Sequence, residues 1–290
     1  MLCTMGRAIT VYMLLRMIAV DLDDTLLTSS LTISEANATA IAEARARGIR
    51  VVLASGRNIY SMKKYAMQLG LDGPGEYMIC SNGAEIIETA TSAMAYRQAI
   101  DGPLCIDIAE AIKGQGFSYQ LYEDGRIRAS GGNAWTSEDT RLTGQKLDIL
   151  APDEERDFLL RGHLKFVIPG EPERIARLLD FMTRHLHGRA EVFISKPYFL
   201  EILPAGVNKG TALAMLAGML GIDMEDVLAR CDSMNDAAML RMAGTGCAPA
   251  NASIAARDAA DYICDATHDE DAVALILRRF LDGPELETED

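Results

Sequence analysis

The chain has 290 residues, a net charge of −14 at pH 7, 49% hydrophobic residues and 24% charged residues. This length allows one large domain or two smaller ones, and the composition is ordinary for a globular protein. The acidic balance argues against nucleic acid as a partner, because a protein that binds a phosphate backbone needs a basic face. No apolar run reaches the roughly 18 residues that a membrane span needs, so we expect no membrane partner.

The six cysteines are scattered and form no C-x-x-C pair, which favours reduced thiols and a cytoplasmic location. Residues 1–16 contain a short apolar run after Arg7 that weakly resembles a signal peptide. Because Arg16 interrupts this run and no small-residue cleavage site follows, we interpret 1–16 as an extension, with Met13 or Met17 as the alternative start.

The first third of the chain alternates strand and helix patterns. The apolar strand MIAV is followed by a helix with Ser34 as its N-cap and Gly48 as its stop, and the runs IRVVLA and EYMIC read as further strands. From residue 200 the same rhythm returns, with the strands DVLARC, TGCAPA and ADYICD between helical segments. The stretch between these parts has short strands, turn signals and one strong helix, EPERIARLLDFMTRHL.

This pattern predicts an α/β protein with a three-layer, Rossmann-like parallel sheet as its core and an inserted α+β cap domain. We expect the core to comprise residues 1–84 and 200–290, and the cap to comprise residues 85–199. The oligomeric state, monomer or homodimer, has no signature in the sequence.

Carboxylates crowd the end of the first strand, in the sequence DLDD. Asp21 and Asp23 are two residues apart, so they share one face if the strand continues. Two carboxylates about 4 Å apart repel by about 4 kcal/mol at an effective dielectric constant near 20. A cation, a shared proton or a displaced side chain must relieve that repulsion, and the hard oxygen ligands suit Mg²⁺. An acidic turn that caps the next helix is the alternative interpretation.

A second carboxylate cluster, CDSMND, follows the strand DVLARC. It contains Asp232, Asn235 and Asp236 at the start of a helix, where plain N-capping is the alternative explanation. Because ligands bind at the carboxyl ends of parallel strands, the two clusters together predict a metal site lined by oxygen atoms.

Two further segments have features of an anion-binding site. Ser55 and Gly56, in SGR, lie between a strand and a helix, where a hydroxyl group and backbone N–H groups can bind a phosphate. Lys209 lies where a helix begins, a position at which the helix dipole disfavours a cation, so a compensating anion is expected. A strand-to-helix turn and a solvated lysine are the respective alternatives.

Taken in order, DLDDTLL, SGR, the lysine before a helix and CDSMND resemble the four signature motifs of the haloacid dehalogenase superfamily. More narrowly, the chain resembles its Cof-type phosphatases, which carry a large α/β cap. The resemblance covers about Met17 to Leu281 and includes SNGA, PYFLEILPAGVNKG, APANA and ADYICD. It implies an Mg²⁺-dependent phosphatase that hydrolyses a small phosphorylated metabolite, such as a sugar phosphate or a cofactor phosphate, through an aspartyl-phosphate intermediate.

The resemblance also implies a role for each matching residue. Asp21 would be the nucleophile, and Asp23 would donate and accept the proton. Ser55 and Lys209 would bind the transferring phosphoryl group, with further contacts from Gly56, Thr25 and Asn82. The metal would be held by Asp21, the backbone carbonyl of Asp23, and Asp232, with Asn235 and Asp236 mainly ordering that site.

Two residues depart from the family pattern, since Asp24 and Cys231 stand where glycine is usual. Neither removes a catalytic group, and Asp24 keeps no assigned task. The role of Arg57 is open, and Lys165 and Lys196 are the candidate substrate contacts in the cap. A phosphomutase-type phosphotransferase and a non-catalytic phosphometabolite-binding protein are the alternative functions.

Overall fold

The computed structural model describes residues 15–233 and 236–282. Its strands, in chain order, are β1 (Met17–Val20), β2 (Arg50–Ala54), β3 (Tyr77–Cys80), β4 (Glu85–Glu88), β5 (Met94–Arg97), β6 (Gln120–Glu123), β7 (Arg126–Ala129), β8 (Lys146–Ile149), β9 (Phe166–Pro169), β10 (Ala190–Lys196), β11 (Phe199–Pro204), β12 (Val227–Arg230), β13 (Thr245–Ala248) and β14 (Tyr262–Ile263).

The α-helices, in chain order, are α1 (Glu35–Ala46), α2 (Ile59–Gln68), α3 (Gly102–Gly114), α4 (Thr136–Thr143), α5 (Pro152–Leu160), α6 (Pro172–Leu186), α7 (Lys209–Met219), α8 (Ala237–Met242), α9 (Ile254–Ala259) and α10 (Ala272–Asp282). Within the described ranges, no helix is long and apolar enough to cross a membrane.

The core domain is built on an eight-stranded sheet in the order β14-β13-β12-β1-β2-β3-β4-β5. The pairs from β14 to β3 are parallel, and β4 and β5 add an antiparallel edge. Buried side chains of α1, α2 and α10 pack on one face of the sheet, and those of α7, α8 and α9 pack on the other. The predicted three-layer α/β core is therefore confirmed.

The cap domain is a six-stranded sheet in the order β10-β11-β9-β6-β7-β8, in which only β7 and β8 run parallel. Helices α3, α5 and α6 cover one face of this sheet with apolar side chains. Helix α4 packs on the other face of this sheet. Gln120 and Tyr122 of β6 donate hydrogen bonds to α4, whereas Leu121, which lies between them in the strand, belongs to the apolar core on the first face.

The pairing of four strands bears on where the two domains join. Strands β4 and β5, which the predicted boundary assigns to the cap, extend the core sheet by antiparallel pairing with β3. Strand β11, most of which was expected in the core, pairs with β9 and β10 in the cap sheet. We therefore propose junctions near Gln98 and Ala205. Sequence periodicity cannot assign a strand to one of two sheets, since pairing is a long-range property.

Local signals match the predicted start and stop of α1. The side chain of Ser34 accepts a hydrogen bond from the backbone N–H of Asn37, and Gly48, just after the helix, has a φ of +80°. The five cysteines in the described part of the chain are buried and have free thiols.

Candidate active site

The two carboxylate clusters meet at the carboxyl edge of the core sheet. Strands β1 and β12 are adjacent and parallel, with Val20 opposite Arg230, so Asp21 and Asp232 leave the sheet side by side. Asp21, Asp232 and Asp236 are all buried, and each offers a carboxylate oxygen that lies within 4.8 Å of the others. The two segments, about two hundred residues apart in the chain, thus form one acidic site.

Lys209 is the cation of this cluster. It is the first residue of α7, and the preceding Asn208 forms a reciprocal capping box with Thr211 that fixes the start of the helix. The ammonium group lies 2.6 Å from Asp21 Oδ1 and 2.6 Å from Asp236 Oδ1. The anion that the helix dipole requires at this position is therefore supplied by these two carboxylates.

The electrostatics of the cluster follow from burial. Desolvation raises the pKa of Asp21 well above its usual value, although Lys209 opposes the shift. Burial, followed by the charge of Asp236, raises the pKa of Asp232 to about 7. For Lys209 the two carboxylates outweigh desolvation and raise its pKa. Three buried carboxylates beside one ammonium leave an excess of negative charge, and this favours a bound cation.

Hydrogen bonds orient the carboxylates of the second cluster. Thr25 Oγ1 donates to Asp232 Oδ1 at 2.5 Å, and Ser233 Oγ donates to Asp232 Oδ2 at 2.9 Å. The backbone N–H of Ser233 donates to Asp236 Oδ2. Thr25, predicted as a phosphate contact, is fully buried, and its hydroxyl group orients the carboxylate of Asp232. Asn235, predicted beside the metal, lies outside the described residues.

The donor set fits Mg²⁺, since carboxylate oxygens from two sheet-edge segments face one another. The carboxylate of Asp236 lies as close to those of Asp21 and Asp232 as these two lie to each other, although the family resemblance implies mainly an ordering role for Asp236. Residues Asp21, Asp232 and Asp236 are those that would hold the ion.

Asp23 is held by Arg57. The guanidinium group donates through Nε and Nη2 to the two carboxylate oxygens of Asp23, at 2.8 and 2.6 Å. Burial alone would raise the pKa of Asp23, but the hydrogen bonds and charge of Arg57 outweigh it and lower that pKa. The pair lines the same cavity as Asp21, and it gives Arg57 the role that the sequence left open.

The SGR turn forms the neighbouring wall of this cavity. Ser55 is fully buried, and its hydroxyl oxygen accepts a hydrogen bond from the backbone N–H of Arg57. A Cβ atom on Gly56 would lie 3.0 Å from the side chain of Asn82, so glycine permits the close approach of these two segments. The structure thereby brings the predicted Ser55, Gly56 and Asn82 together with Asp21 and Lys209 around one cavity.

The cap supplies the opposite wall of the cavity. The ammonium group of Lys165 pairs with Glu201 at 2.8 Å, and Asn82 of the core donates to the same carboxylate at 2.9 Å. Tyr122 donates a hydrogen bond to Asp139, which is also buried. Of these cap residues, sequence reasoning identified Lys165 alone. Strand alternation indicates that Gln120 and Tyr122 share a face, but it does not reveal that this face turns towards the core.

Direct contacts hold the cap against the core around the cavity mouth. Lys196 of the cap pairs with Asp24 of the core at 2.9 Å. The amide side chains of Asn58 and Gln145 exchange two hydrogen bonds across the same boundary. The structure therefore describes a closed arrangement, in which both lysines predicted as cap contacts reach the cavity.

Cys231 lies beside the acidic cluster as a neutral thiol. Its thiol is fully buried and lies 3.8 Å from the backbone carbonyl oxygen of Asp236. Desolvation and the nearby carboxylates raise its pKa well above the usual value, so the thiol stays neutral.

Comparison with known proteins assigns the family. The model of the haloacid dehalogenase-like hydrolases matches residues 18–277. A 5-amino-6-(5-phospho-D-ribitylamino)uracil phosphatase of Bacillus subtilis is 30% identical over 92% of this chain and 96% of its own. An HMP-PP phosphatase of Serratia proteamaculans is 28% identical over 93% of this chain and 97% of its own. A haloacid dehalogenase-like hydrolase of Bacteroides thetaiotaomicron superposes with a TM-score of 0.81 at 31% identity, over 91% of this chain and 99% of its own.

The chain therefore belongs to the haloacid dehalogenase-like hydrolases. This confirms the family resemblance, the fold and the enzyme class, a hydrolase, that were predicted from the sequence.

Proposed function

We propose that the protein is an Mg²⁺-dependent phosphatase that hydrolyses a small phosphorylated metabolite through an aspartyl-phosphate on Asp21. One observation carries the proposal: Asp21 is paired with Lys209 and lies beside the carboxylates of Asp232 and Asp236, in a cavity that Ser55 also lines. A carboxylate can attack an anionic phosphoryl group only where cations offset the negative charge. Lys209 is one such cation, and the acidic cluster suits a second.

In the first half of the proposed reaction, Asp21 attacks phosphorus and the bond to the leaving oxygen breaks. Lys209 and Ser55 offset the charge of the phosphoryl oxygens. Mg²⁺, when bound by the acidic cluster, would shield the phosphoryl oxygens from the carboxylates. Asp23 donates its proton to the leaving oxygen. Since Arg57 favours the carboxylate form of Asp23, Asp23 has to take up a proton before this step.

In the second half, a water molecule attacks the phosphorus of the aspartyl-phosphate, and Asp23 accepts the proton of that water. The contacts between Arg57 and Asp23 support this half directly, because they favour the ionised carboxylate that acts as the base. Inorganic phosphate and the unmodified Asp21 are the products.

The substrate class is supported by the relatives, two of which are named for phosphatases of a ribitylaminouracil phosphate and of HMP-PP. The cap closes over the acidic cluster, and polar side chains of both domains line the cavity between them. A cytoplasmic location is consistent with the free thiols of the described cysteines.

The experiment is an assay of inorganic phosphate release from a panel of phosphorylated metabolites, with Mg²⁺ and with EDTA. Mg²⁺-dependent release supports the proposal. An isomerised phosphate ester without free phosphate would identify a phosphomutase, and binding without any conversion would identify a non-catalytic binding protein.

A further inference from the structure

The cap wall of the cavity carries a carboxylate with an open hydrogen-bonding position. Asp139 lines the cavity and is 4% exposed. Tyr122 donates a hydrogen bond of 2.6 Å to its Oδ2 atom. Within residues 15–233 and 236–282, the Oδ1 atom accepts no hydrogen bond. Because Asp139 lines the cavity and this oxygen has no donor among the described residues, a ligand in the cavity can supply one.

The charge balance on the cap side of the cavity points to the same ligand chemistry. Lys165 pairs with Glu201, and Lys196 pairs with Asp24. Among the described side chains, no lysine, arginine or histidine lies within 4.0 Å of Asp139. Burial raises the pKa of Asp139 to about 6, so its carboxylate is mostly ionised near neutral pH. This wall therefore attracts hydroxyl and amino groups and repels a second phosphate group.

The position of Asp139 relative to the reaction centre is fixed by helix α4. Arg57, which holds Asp23 with two of its nitrogens, donates through Nη1 to the backbone carbonyl oxygen of Leu142 at 2.5 Å. Leu142 lies three residues after Asp139 on α4, about one helical turn away. Asp23, the residue proposed to protonate the leaving oxygen, is thus connected through Arg57 to helix α4, which carries Asp139.

We propose that Asp139 is a specificity-determining residue that accepts a hydrogen bond from a hydroxyl or amino group of the leaving group. The substrates would be monophosphates of polyols or amino alcohols without a second phosphate group. Tyr122 acts as a positioning residue, because its hydroxyl group fixes the orientation of the Asp139 carboxylate. This inference rests on the proposed phosphatase function and names the substrate class of that same site.

The test compares substrates that differ only in hydrogen-bond donors. Sorbitol 6-phosphate and hexyl phosphate share a six-carbon chain, and glycerol 3-phosphate and propyl phosphate share a three-carbon chain. In at least one pair, we expect the unmodified protein to prefer the polyol ester by about tenfold or more in kcat/KM. A preference of this size corresponds to one hydrogen bond to a charged acceptor. Fructose 6-phosphate should likewise be preferred to fructose 1,6-bisphosphate.

Asp139→Asn keeps an acceptor for Tyr122 and removes the negative charge. We expect this variant to lose about tenfold in kcat/KM for the preferred polyol ester, while the alkyl ester changes by less than about threefold. Tyr122→Phe should reduce the preference in the same direction. Asp157→Asn, the same change on the exposed surface of cap helix α5, is the matched control and should leave the preference unchanged.

The outcomes separate this inference from the function on which it rests. If the unmodified protein releases phosphate from none of these esters or from the metabolite panel, the proposed phosphatase function fails. If it releases phosphate but does not prefer the polyol esters, or if Asp139→Asn lowers the turnover of both members of a pair equally, the role of Asp139 is refuted. Retained turnover of the alkyl ester shows that the variant is folded.

Discussion

Lys196 of the cap lies 2.9 Å from the carboxylate of Asp24 in the core, although the two residues are 172 positions apart in the chain. Asp24 has a φ of +55°, in the left-handed region where glycine is favoured, and it occupies a position where glycine is usual in the family. The contact gives Asp24 the task that the sequence did not show: it joins the loop after β1 to the cap.

A double-mutant cycle over Asp24→Asn and Lys196→Met should measure the strength of this contact. Because the Asp24 side chain is 49% exposed, we expect a coupling energy of about 0.2–1 kcal/mol in thermal or urea unfolding. Asparagine tolerates the left-handed conformation, so the single variant tests the charge alone. A coupling energy above about 2 kcal/mol would contradict this account of a solvent-screened pair.

Arg230 is a second residue whose position carries a prediction. Its side chain is fully buried in the core sheet, and its three guanidinium nitrogens have no hydrogen-bond partner among the described residues. Burial lowers its pKa to about 10. Since an unpaired buried charge is unfavourable, Arg230→Met should raise the free energy of unfolding by about 1–4 kcal/mol. Arg278→Met, on the exposed face of α10, should change it little. A marked loss of stability in Arg230→Met would show that the guanidinium group has a stabilising partner.

The buried Asp139 predicts a pH dependence of stability. Its pKa is about 6 in the folded protein, against an ordinary value of 3.8, so folding takes up a proton between these pH values. The contribution of this group to stability therefore falls as the pH rises from about 4 through 6, and it stays low above that range.

Asp139→Asn lacks this titration, so the stability of the variant relative to the unmodified protein should improve by about 2 kcal/mol between pH 4.5 and 7.5. Urea unfolding at several pH values measures the difference in the free energy of unfolding between the variant and the unmodified protein. For the control variant Asp157→Asn, this difference should not change with pH. A relative stability of Asp139→Asn that does not change with pH would refute the raised pKa.

Mg²⁺ should stabilise the folded protein through the acidic cluster. A ligand that binds only the folded state, present at one hundred times its dissociation constant, adds about 2.7 kcal/mol. We therefore expect Mg²⁺ to raise the melting temperature of EDTA-treated protein, and Asp232→Asn to remove most of that increase. An equal increase in the variant would show that the ion binds elsewhere.

The sequence was sufficient to predict the core of the site because its signals are local. Asp21 and Asp232 follow apolar strands, and Lys209 begins a helix, so the rules for parallel sheets and helix ends bring them to one edge. The contacts across the cavity could not be predicted in this way. Arg57 reaches a backbone carbonyl 85 residues away, and Asp139 faces the site only because α4 packs on the inner face of the cap sheet. Such contacts depend on how two domains meet, which no local pattern records.

The most direct test of the central claim is phosphate release by Asp21→Asn in the presence of Mg²⁺. The substitution keeps the shape of the side chain and removes the nucleophilic carboxylate, so release should fall to background. The melting temperature should not fall markedly, because burial disfavours the charge of Asp21 and because Lys209 keeps its second partner, Asp236. Phosphate release by a folded Asp21→Asn variant at the rate of the unmodified protein would contradict the proposed mechanism.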